Sequence, residues 1–458
     1  MAFLDQNYLL GGETAFELFQ QVGDLPIVDP HTHADVQQIL DDQPFADIWQ
    51  AEAATDHYVW EMLRKRGVDE NLITGNAGNR EKWMAMAEVF PWIAGSPTYE
   101  WIHLDLRRQL GVEELVNRDN AATIWRKTAE ILQKPEMRPR ALLRRMKVET
   151  LASTDDPVDS LEAHRKLAAE CPGLVRPTFR PDQAMNIFKD SWRSYITSLE
   201  RRFNHKFHKL QDLVEALRQA HDWFAEHGCV ASDHGLETPY GYHVEAEDAD
   251  AVFRKAYNGH ELEQDEVIAF MSYLLNQLAE MDAEKDWVFQ LHIGVTRDIR
   301  DSLFNTIGAD SGGDVSDHLI DYVEPLAPLL NRFDGRLKTV LYCIEPGHQA
   351  SVAALCRAFG AKVNPGSAWW LNDSPIGMKR QLEYVGSVDL LANLAGMVSD
   401  SRKLLSYGSR HEMFRRTLCE VLGAMVDRGQ MPREVAGELA CYLCYQRPRE
   451  LFGLAGLA

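Results

Sequence analysis

Short apolar runs rich in β-branched residues alternate along the chain with longer stretches of helical periodicity. An apolar run between polar positions predicts a buried strand, and apolar residues three or four positions apart predict an amphipathic helix. The helical pattern is clear in HKLQDLVEALRQAHDWFAEHG, whose apolar positions recur at helical spacing before a glycine. Eight runs predict strands, and they start near residues 25, 148, 174, 229, 288, 337, 361 and 394. Eight strands that alternate with helices predict an α/β fold of the TIM-barrel type, a (β/α)8 barrel.

The first two predicted strands are unusually far apart. Residues 36–147 lie between them and contain helix-like segments, such as EKWMAMAEVFPWI, without an alternating run that would predict a strand. The loop after a barrel strand lies on the face where active sites of such barrels are built. We therefore expect one barrel domain over residues 1–458, in which residues 36–147 form a helical insertion that covers or walls the pocket.

The composition is that of an acidic globular protein. The 458 residues include 48 Lys and Arg against 69 Asp and Glu, a formal net charge of −21. Such a surface repels phosphate backbones and anionic lipids, so we expect no nucleic-acid partner and no membrane. The start has no basic segment typical of a signal peptide, and seven cysteines are a low, odd number that suits a reducing compartment. These features predict a cytoplasmic protein and leave open whether it is a homo-oligomer.

Histidines end the first predicted strand. His31 and His33 are two positions apart, so their side chains point to the same side of the strand. Two imidazoles suit a divalent ion of the zinc, manganese, iron or nickel kind. The fifth predicted strand ends with His292. The fourth ends with a histidine but no lysine, which favours one metal over a two-metal centre bridged by a carbamylated lysine.

The last predicted strand ends with a carboxylate and an arginine, Asp400 and Arg402. Asp400 could be a metal ligand, a general base or both, and a closed pocket is expected to raise its pKa towards neutrality. The structural alternative is an N-cap, although we expect the next helix to begin near residue 409. About half of the other polar residues at strand ends are expected to support neighbouring groups through hydrogen bonds; these residues are Asp155, Asp156, Asp233, His234 and Glu345.

These strand-end residues together resemble the amidohydrolase superfamily. Within it, the chain resembles the uronate isomerases over nearly its whole length, in the segments DHYVWEMLRKRG, STDDP, RPTFRPD, ASDHGLET, LHIG and SDSRKLLSYGSRHEMFRR. The resemblance implies an aldose–ketose isomerisation of D-glucuronate to D-fructuronate and of D-galacturonate to D-tagaturonate. It also implies a small-molecule hexuronate substrate and one divalent metal ion, with zinc as the expected ion.

The resemblance also implies roles for individual residues. The metal ligands would be His31, His33 and Asp400; the catalytic residues Asp400, Tyr58 and His57; and the substrate-binding residues Arg180, Arg402, Trp370 and His292. Taken alone, three of these positions have structural alternatives: Tyr58 as a core aromatic residue, Arg180 as half of an ion pair, and Trp370 as barrel packing. Whether His292 binds metal or substrate stays open.

The chemistry can be argued without the resemblance. Isomerising a 2-hydroxyaldehyde requires a base beside the carbonyl, stabilisation of an enediol, and exchange of a proton between two oxygens. Asp400 is a suitable base, and either Tyr58 or His57 can both donate and accept. The planar fork of Arg180 matches a carboxylate, which explains how an acidic protein could bind an acidic sugar.

Two features depart from the uronate isomerase pattern. Lys403 stands where a small polar residue is expected, and YGSRHE carries one additional residue. We expect the first at the pocket rim and the second in the following loop, where they would affect substrate preference.

Two other functions remain open at this point. One is a metal-dependent hydrolase of the same superfamily, in which Asp400 would activate water. The other is a sugar-acid binding protein without catalysis. Hydrolysis does not require Arg180 together with His57 and Tyr58, so this set favours the isomerase.

Overall fold

The computed structural model describes residues 3–454, and seven strands of this part of the chain form two parallel sheets. The first sheet has the order β1-β2-β3, with β1 at Ile27–Asp29, β2 at Val148–Ala152 and β3 at Val175–Arg176. The second contains β4 Ala231–Leu236, β5 Val288–Ile293, β8 Lys338–Cys343 and β9 Val363–Pro365, in that order. Two further strands that the sequence did not predict, β6 Val295–Thr296 and β7 Val315–Ser316, pair as an antiparallel hairpin. The chain therefore has an α/β fold with parallel sheets.

Seven of the eight predicted strands are confirmed, and the eighth is wrong. Residues 394–401 form no strand in the described chain. Two positions in this segment, Gly396 and Asp400, have positive φ angles of 105° and 51°, which interrupt an extended backbone. Single hydrogen bonds replace a ladder, such as the one from the Ala395 amide to the Pro365 carbonyl at 2.9 Å.

Phe179 lies between the two sheets. It makes isolated parallel bridges to Asp155, which follows β2, and to Ser232 in β4. Its ring is fully buried and packs edge-on against Phe224. Phe179, which follows β3, therefore links the segment after β2 in the first sheet to the beginning of β4 in the second.

The segment between β1 and β2 is helical, as predicted, and contains no strand within this part of the described chain. After α1 at Glu13–Val22 and β1, it forms α2 Val36–Asp41, α3 Ile48–Glu52, α4 His57–Lys65, α5 Asn79–Val89, α6 Pro97–Leu110, α7 Ala121–Leu132 and α8 Pro139–Arg145. Its buried residues share one hydrophobic cluster with Ile27, Val148 and Leu151 of the sheet. The insertion therefore packs directly on β1 and β2.

The other helices surround the sheets. They are α9 Glu162–Glu170, α10 Asp182–Met185, α11 Trp192–Phe203, α12 Leu210–Glu226, α13 Ala246–Tyr257, α14 Gln264–Lys285, α15 Asp301–Ile307, α16 Ala327–Arg332, α17 Gln349–Phe359, α18 Pro375–Val388, α19 Ser406–Asp427, α20 Arg433–Cys441 and α21 Arg447–Leu451. Helix α12 buries the apolar face that its periodicity predicts. None of the helices in residues 3–454 combines the length and apolar character needed to cross a membrane.

Candidate active site

A cleft of about 690 Å³ opens at the carboxyl ends of the strands. It brings together most of the residues singled out in the sequence, namely His31, His33, His57, Arg180, His292, Trp370, Asp400 and Arg402. Tyr58 is not among the described residues that line it. Residues that are up to about 370 positions apart therefore converge on one site.

Asp400 stands at the centre of this cleft. Its Oδ1 lies 3.1 Å from Nε2 of His31 and 3.2 Å from Nε2 of His33, and Trp369 Nε1 donates to Oδ2 at 2.9 Å. The Asp400 amide donates to the His31 carbonyl at 3.2 Å, which ties the two segments together. A left-handed backbone at a non-glycine residue is strained, and such strain is concentrated at functional sites.

The N-cap alternative for Asp400 does not hold. Helix α19 begins at Ser406, after Leu405, so Asp400 lies outside its first turn. The expected start near residue 409 was wrong. The carboxylate of Asp400 is free to act in the cleft rather than to cap a helix.

A second carboxylate, Asp233, lies beneath the first. Its Oδ1 lies 2.5 Å from Nδ1 of His292, and its Oδ2 forms an ion pair with Arg180, whose Nη1 is 3.1 Å away. Nδ1 of His31 is 3.5 Å from the same Oδ2. Burial opposes ionisation, but Arg180, His292 and His31 hold the pKa of Asp233 well below its usual range. Asp233 is therefore ionised and orients two histidines and an arginine.

The donors in this cleft suit a divalent metal ion. Two groups have ligand atoms within 4.8 Å of one another, His31 with His33 and Asp400, and His31 with Asp233 and His292. Nδ1 of His31 and Nε2 of His292 are buried and lack a hydrogen-bond partner among the described residues. Imidazole and carboxylate ligands match zinc and related ions. The residues present fit the metal that the sequence predicted.

The pKa of Asp400 differs from the sequence-based expectation. Burial would raise it, but hydrogen bonds and charges from His31 and His33 hold the pKa of Asp400 well below its usual range. The pKa of His31 is raised despite burial, because Asp233 and Asp400 favour the imidazolium. The expectation of a near-neutral pKa was wrong, because it ignored the two neighbouring histidines.

His57 and Tyr58 occupy different environments at the start of α4. The imidazole of His57 lines the cleft, with its centroid 5.3 Å from the Tyr58 ring and 5.1 Å from the Trp370 ring. The Tyr58 hydroxyl is buried behind it, where it donates to Asp373 at 2.8 Å and accepts from the Leu371 amide at 3.0 Å. Burial and Asp373 raise the pKa of Tyr58 well above its usual range. The structure thus brings His57 to the cleft and places Tyr58 underneath.

Arg180 both forms ion pairs and faces the cleft. Its Nε donates to Asp182 Oδ2 at 2.7 Å, so Arg180 is half of an ion pair, as the structural alternative predicted. Arg402 is about one-third exposed and lies 3.7 Å from Asp310, while the Trp370 ring stacks under the Arg297 guanidinium at 5.5 Å. Arg180, Arg402 and Trp370 all line the cleft.

The sequence reasoning missed one pair of residues that supports the site. Arg410 donates to Asp373 at 3.3 Å and to the Ser399 carbonyl at 3.0 Å, and its guanidinium lies 5.7 Å from the Tyr58 ring centre. Arg410 belongs to the SRHE string that contributes to the family resemblance. However, the neighbouring residues in the sequence do not indicate that this arginine is buried.

Both departures from the family pattern lie elsewhere than expected. Lys403 is not at the cleft rim: it is buried, with Nζ 3.1 Å from Asp56 and 3.3 Å from Glu52. The YGSRHE segment is not a loop but the first turns of α19, where Ser406 and Ser409 donate to Asp105. Both features serve packing between the insertion and α19.

The whole chain matches proteins of one family. A family model described as glucuronate isomerase matches residues 1–452. The uronate isomerase of Thermotoga petrophila is 50% identical over 451 residues, which cover 98% of this chain and 99% of that protein. The crystal structure of uronate isomerase from Thermotoga maritima has a TM-score of 0.97 at 50% identity, covering 99% of this chain and 100% of that one.

A structure with lower sequence identity has the same fold. The crystal structure of glucuronate isomerase from Caulobacter crescentus has a TM-score of 0.96 at 28% identity, and the match covers 100% of this chain and 98% of that one. The match of the family model over almost every residue, together with relatives covered from end to end, means that this chain belongs to the glucuronate isomerase family.

Proposed function

We propose that the protein is a uronate isomerase that converts D-glucuronate to D-fructuronate and D-galacturonate to D-tagaturonate. The observation that carries this proposal is the cleft in which Asp400, between His31 and His33, lies together with Arg180. A base, imidazoles and a carboxylate-binding fork are the groups that isomerisation of an acidic sugar requires. Membership of the family supports this function over hydrolysis.

Substrate binding is assigned to residues of the cleft wall. The guanidinium of Arg180 would bind the hexuronate carboxylate, since its planar fork matches two carboxylate oxygens. Arg402 and His292 would contact substrate oxygens, and the Trp370 ring would form a wall for the sugar. Asp233 holds Arg180 and His292 in place through the contacts at 3.1 and 2.5 Å.

Metal binding is assigned to His31, His33 and Asp400, with zinc as the expected ion. A divalent ion held there supplies polarisation of substrate oxygens.

Proton transfer is assigned to Asp400 and His57. The Asp400 carboxylate would take the proton from C2 of the aldose and return it at C1, because its low pKa keeps it ionised. His57, which lines the cleft, would exchange a proton between the two adjacent oxygens. Tyr58 would share this role only if its hydroxyl left Asp373; in the present arrangement it supports the His57 ring.

The fold that supports this site is proposed to be a (β/α)8 barrel over residues 1–458, with residues 36–147 as an insertion. Phe179 bridges the two sheets, which supports closure on one side. On the other side, residues 394–401 take the place of the eighth strand, since Ala395 bonds to Pro365 and the His33 amide donates to Ser401 at 3.1 Å.

The cellular compartment and the binding partners are proposed from the net charge of the protein. We propose a cytoplasmic enzyme with a small-molecule hexuronate as its ligand and without a nucleic-acid or membrane partner, because its net charge of −21 opposes polyanions.

Proton NMR in deuterated water tests the proposed reaction. We expect ketose to form from D-glucuronate and D-galacturonate, with deuterium entering at C1 of the ketose and at C2 of the recovered aldose, and we expect Asp400→Asn to abolish both ketose formation and exchange. Absence of ketose and of exchange with every hexuronate would reject the function. Hydrolysis of a lactone or amide by the same protein would support the hydrolase, and hexuronate binding without turnover would support the binding protein.

A further inference from the structure

The end of β2 places a buried carboxyl group in the cleft that the reaction scheme above does not use. Asp155 lines the cleft, and its side chain is only 11% exposed. Its main-chain carbonyl accepts from the Arg180 amide at 2.9 Å, so the two residues are neighbours at adjoining strand ends. The main chains of Asp155 and of the arginine assigned to the substrate carboxylate are therefore adjacent, and both residues line the cleft.

Only one oxygen of this carboxyl group has partners. Oδ2 accepts from the Ser153 hydroxyl at 2.7 Å and from the Thr178 amide at 3.3 Å. The same Ser153 hydroxyl lies 2.8 Å from Nε2 of His164, a buried residue of α9. Oδ1 makes no hydrogen bond to any residue of the described chain, which leaves it for a ligand in the cleft.

Asp155 also differs from the other cleft carboxylates in its charge partners. The three cleft arginines, Arg180, Arg297 and Arg402, lie against Asp182, Asp314 and Asp310 respectively. No lysine or arginine of the described chain pairs with Asp155. The nearest basic group is His164, with Nε2 3.6 Å from Oδ2.

Burial without a cation favours the neutral acid. Burial raises the pKa of Asp155 to about 7, and Asp159 in the same loop acts in the same direction. Hydrogen bonds from Ser153 and Thr178 oppose this shift. Burial lowers the pKa of His164 to about 4, with a contribution from His227 at the end of α12, so this imidazole is neutral at pH 7.

We propose that Asp155 is a further substrate-binding residue, whose protonated Oδ1 donates a hydrogen bond to the hexuronate carboxylate beside Arg180. This inference rests on the proposed function. A neutral acid donates a strong hydrogen bond to a carboxylate, whereas an ionised Asp155 would repel it. Ser153 and His164 are positioning residues that hold Oδ2 in place. Hexuronate binding therefore weakens as the solution becomes alkaline.

The dissociation constant and KM for D-glucuronate, measured from about pH 6 to about pH 9, test this inference. Since apparent affinity follows the fraction of competent protein, we expect both constants to rise at least about tenfold across this range. In Asp155→Asn, whose amide donates at every pH, we expect a flat profile. A matched control is Asp156→Asn: its carboxyl oxygens are already bonded to Val158, Tyr195 and Gln183, so it should keep the rise.

A flat wild-type profile, or the same rise in Asp155→Asn, would overturn the inference. Loss of turnover with intact, pH-dependent binding would instead count against the isomerase function alone. Infrared difference spectra of the wild-type protein give a second test that needs no variant. Hexuronate should perturb a protonated carboxyl band at about pH 6 and none at about pH 9, and absence of this perturbation would also overturn the inference.

Discussion

His103 is a buried histidine whose two ring nitrogens are both engaged in the neutral form. Nδ1 lies 2.8 Å from the Tyr99 carbonyl, and Nε2 accepts from the Val116 amide at 3.0 Å. Protonation would break the second bond. Burial accordingly lowers the pKa of His103 to about 4.

The pH dependence of stability follows from this shift. Between about pH 6.5 and pH 4 the unfolded chain binds a proton at this residue and the folded protein does not, so stability is lost as pH falls. From pH 7 to pH 5, we expect His103 to account for about 2 kcal/mol of this loss. Urea unfolding followed by circular dichroism should show His103→Gln losing that much less than wild type. His243→Gln, at an exposed position, should behave like wild type.

Lys403 is a buried cation among three carboxylates of the insertion. Its Nζ lies 3.3 Å from Glu52 in α3, 3.1 Å from Asp56 at the start of α4, and 4.0 Å from Asp105 in α6. Asp56 also caps α4 by accepting from the Tyr58 amide at 3.0 Å. Lys403 thus connects the segment that carries Asp400 with the helix that carries His57.

Removing this cation should be costly. Lys403→Met leaves buried carboxylates without a partner, and we expect a loss of about 3–5 kcal/mol in the free energy of unfolding. Lys379→Met provides the control, because Lys379 is exposed and lies 3.8 Å from Glu420; its loss should stay within about 0.5 kcal/mol. Chemical denaturation measures both. Equal effects of the two substitutions would contradict the role assigned to Lys403.

Two glycines, one next to a strand and one in a helix, differ in the space available for an added methyl group. A Cβ at Gly366, next to β9, would lie 2.2 Å from the Tyr342 ring, and that ring stacks on His292 at 4.2 Å. A Cβ at Gly386, inside α18, would meet nothing closer than 3.8 Å. The two glycines form a matched pair.

We expect opposite effects from the same substitution at these two positions. Gly366→Ala should destabilise the protein by about 1–3 kcal/mol through overpacking and should lower kcat, since Tyr342 can no longer stack on His292. Gly386→Ala should stabilise it by about 0.5–1 kcal/mol, because alanine is the better helix former. Thermal unfolding and steady-state kinetics distinguish the two. A stabilising Gly366→Ala would show that the Tyr342 ring is free to move.

Across the whole molecule, the acidic charge opposes an anionic substrate. The net charge is −21, and the described residues that line the cleft include eight Asp and Glu against four Lys and Arg. Under the proposed function, a hexuronate would approach against a repulsive field and would be bound through local contacts with Arg180 and its neighbours.

Salt should therefore assist this reaction. Raising ionic strength from about 0.01 M to about 0.15 M shortens the Debye length from about 30 Å to about 8 Å and screens the repulsion. We expect kcat/KM for D-glucuronate to rise several-fold over this range. An enzyme whose charge attracts its substrate shows the opposite trend, a fall in kcat/KM with salt. Stopped-flow or steady-state kinetics at constant pH measures this. A fall in kcat/KM would indicate that the cations of the cleft dominate at long range.

The sequence predicted the fold well where periodicity is local. Seven strands and helix α12 were confirmed, because a run of apolar residues determines which face an element buries. The prediction of the eighth strand was wrong because the backbone φ angle becomes positive at Gly396 and Asp400. The hydrophobic pattern does not reveal this change. The expected position of Lys403 at the pocket rim was wrong, because its burial comes from packing with distant segments, and the burial of the Tyr58 hydroxyl has the same origin.

In the candidate site, too, the sequence predicted the features that depend on local geometry and not those that depend on tertiary contacts. The HxH spacing of His31 and His33 predicts that both imidazoles point to one side, since that direction follows from strand geometry alone. The pairing of Asp233 with Arg180 and His292, the depressed pKa of Asp400 and the lack of a cation beside Asp155 could not be read from the chain. They depend on which charges meet, and on how much water is excluded, when segments hundreds of residues apart fold together.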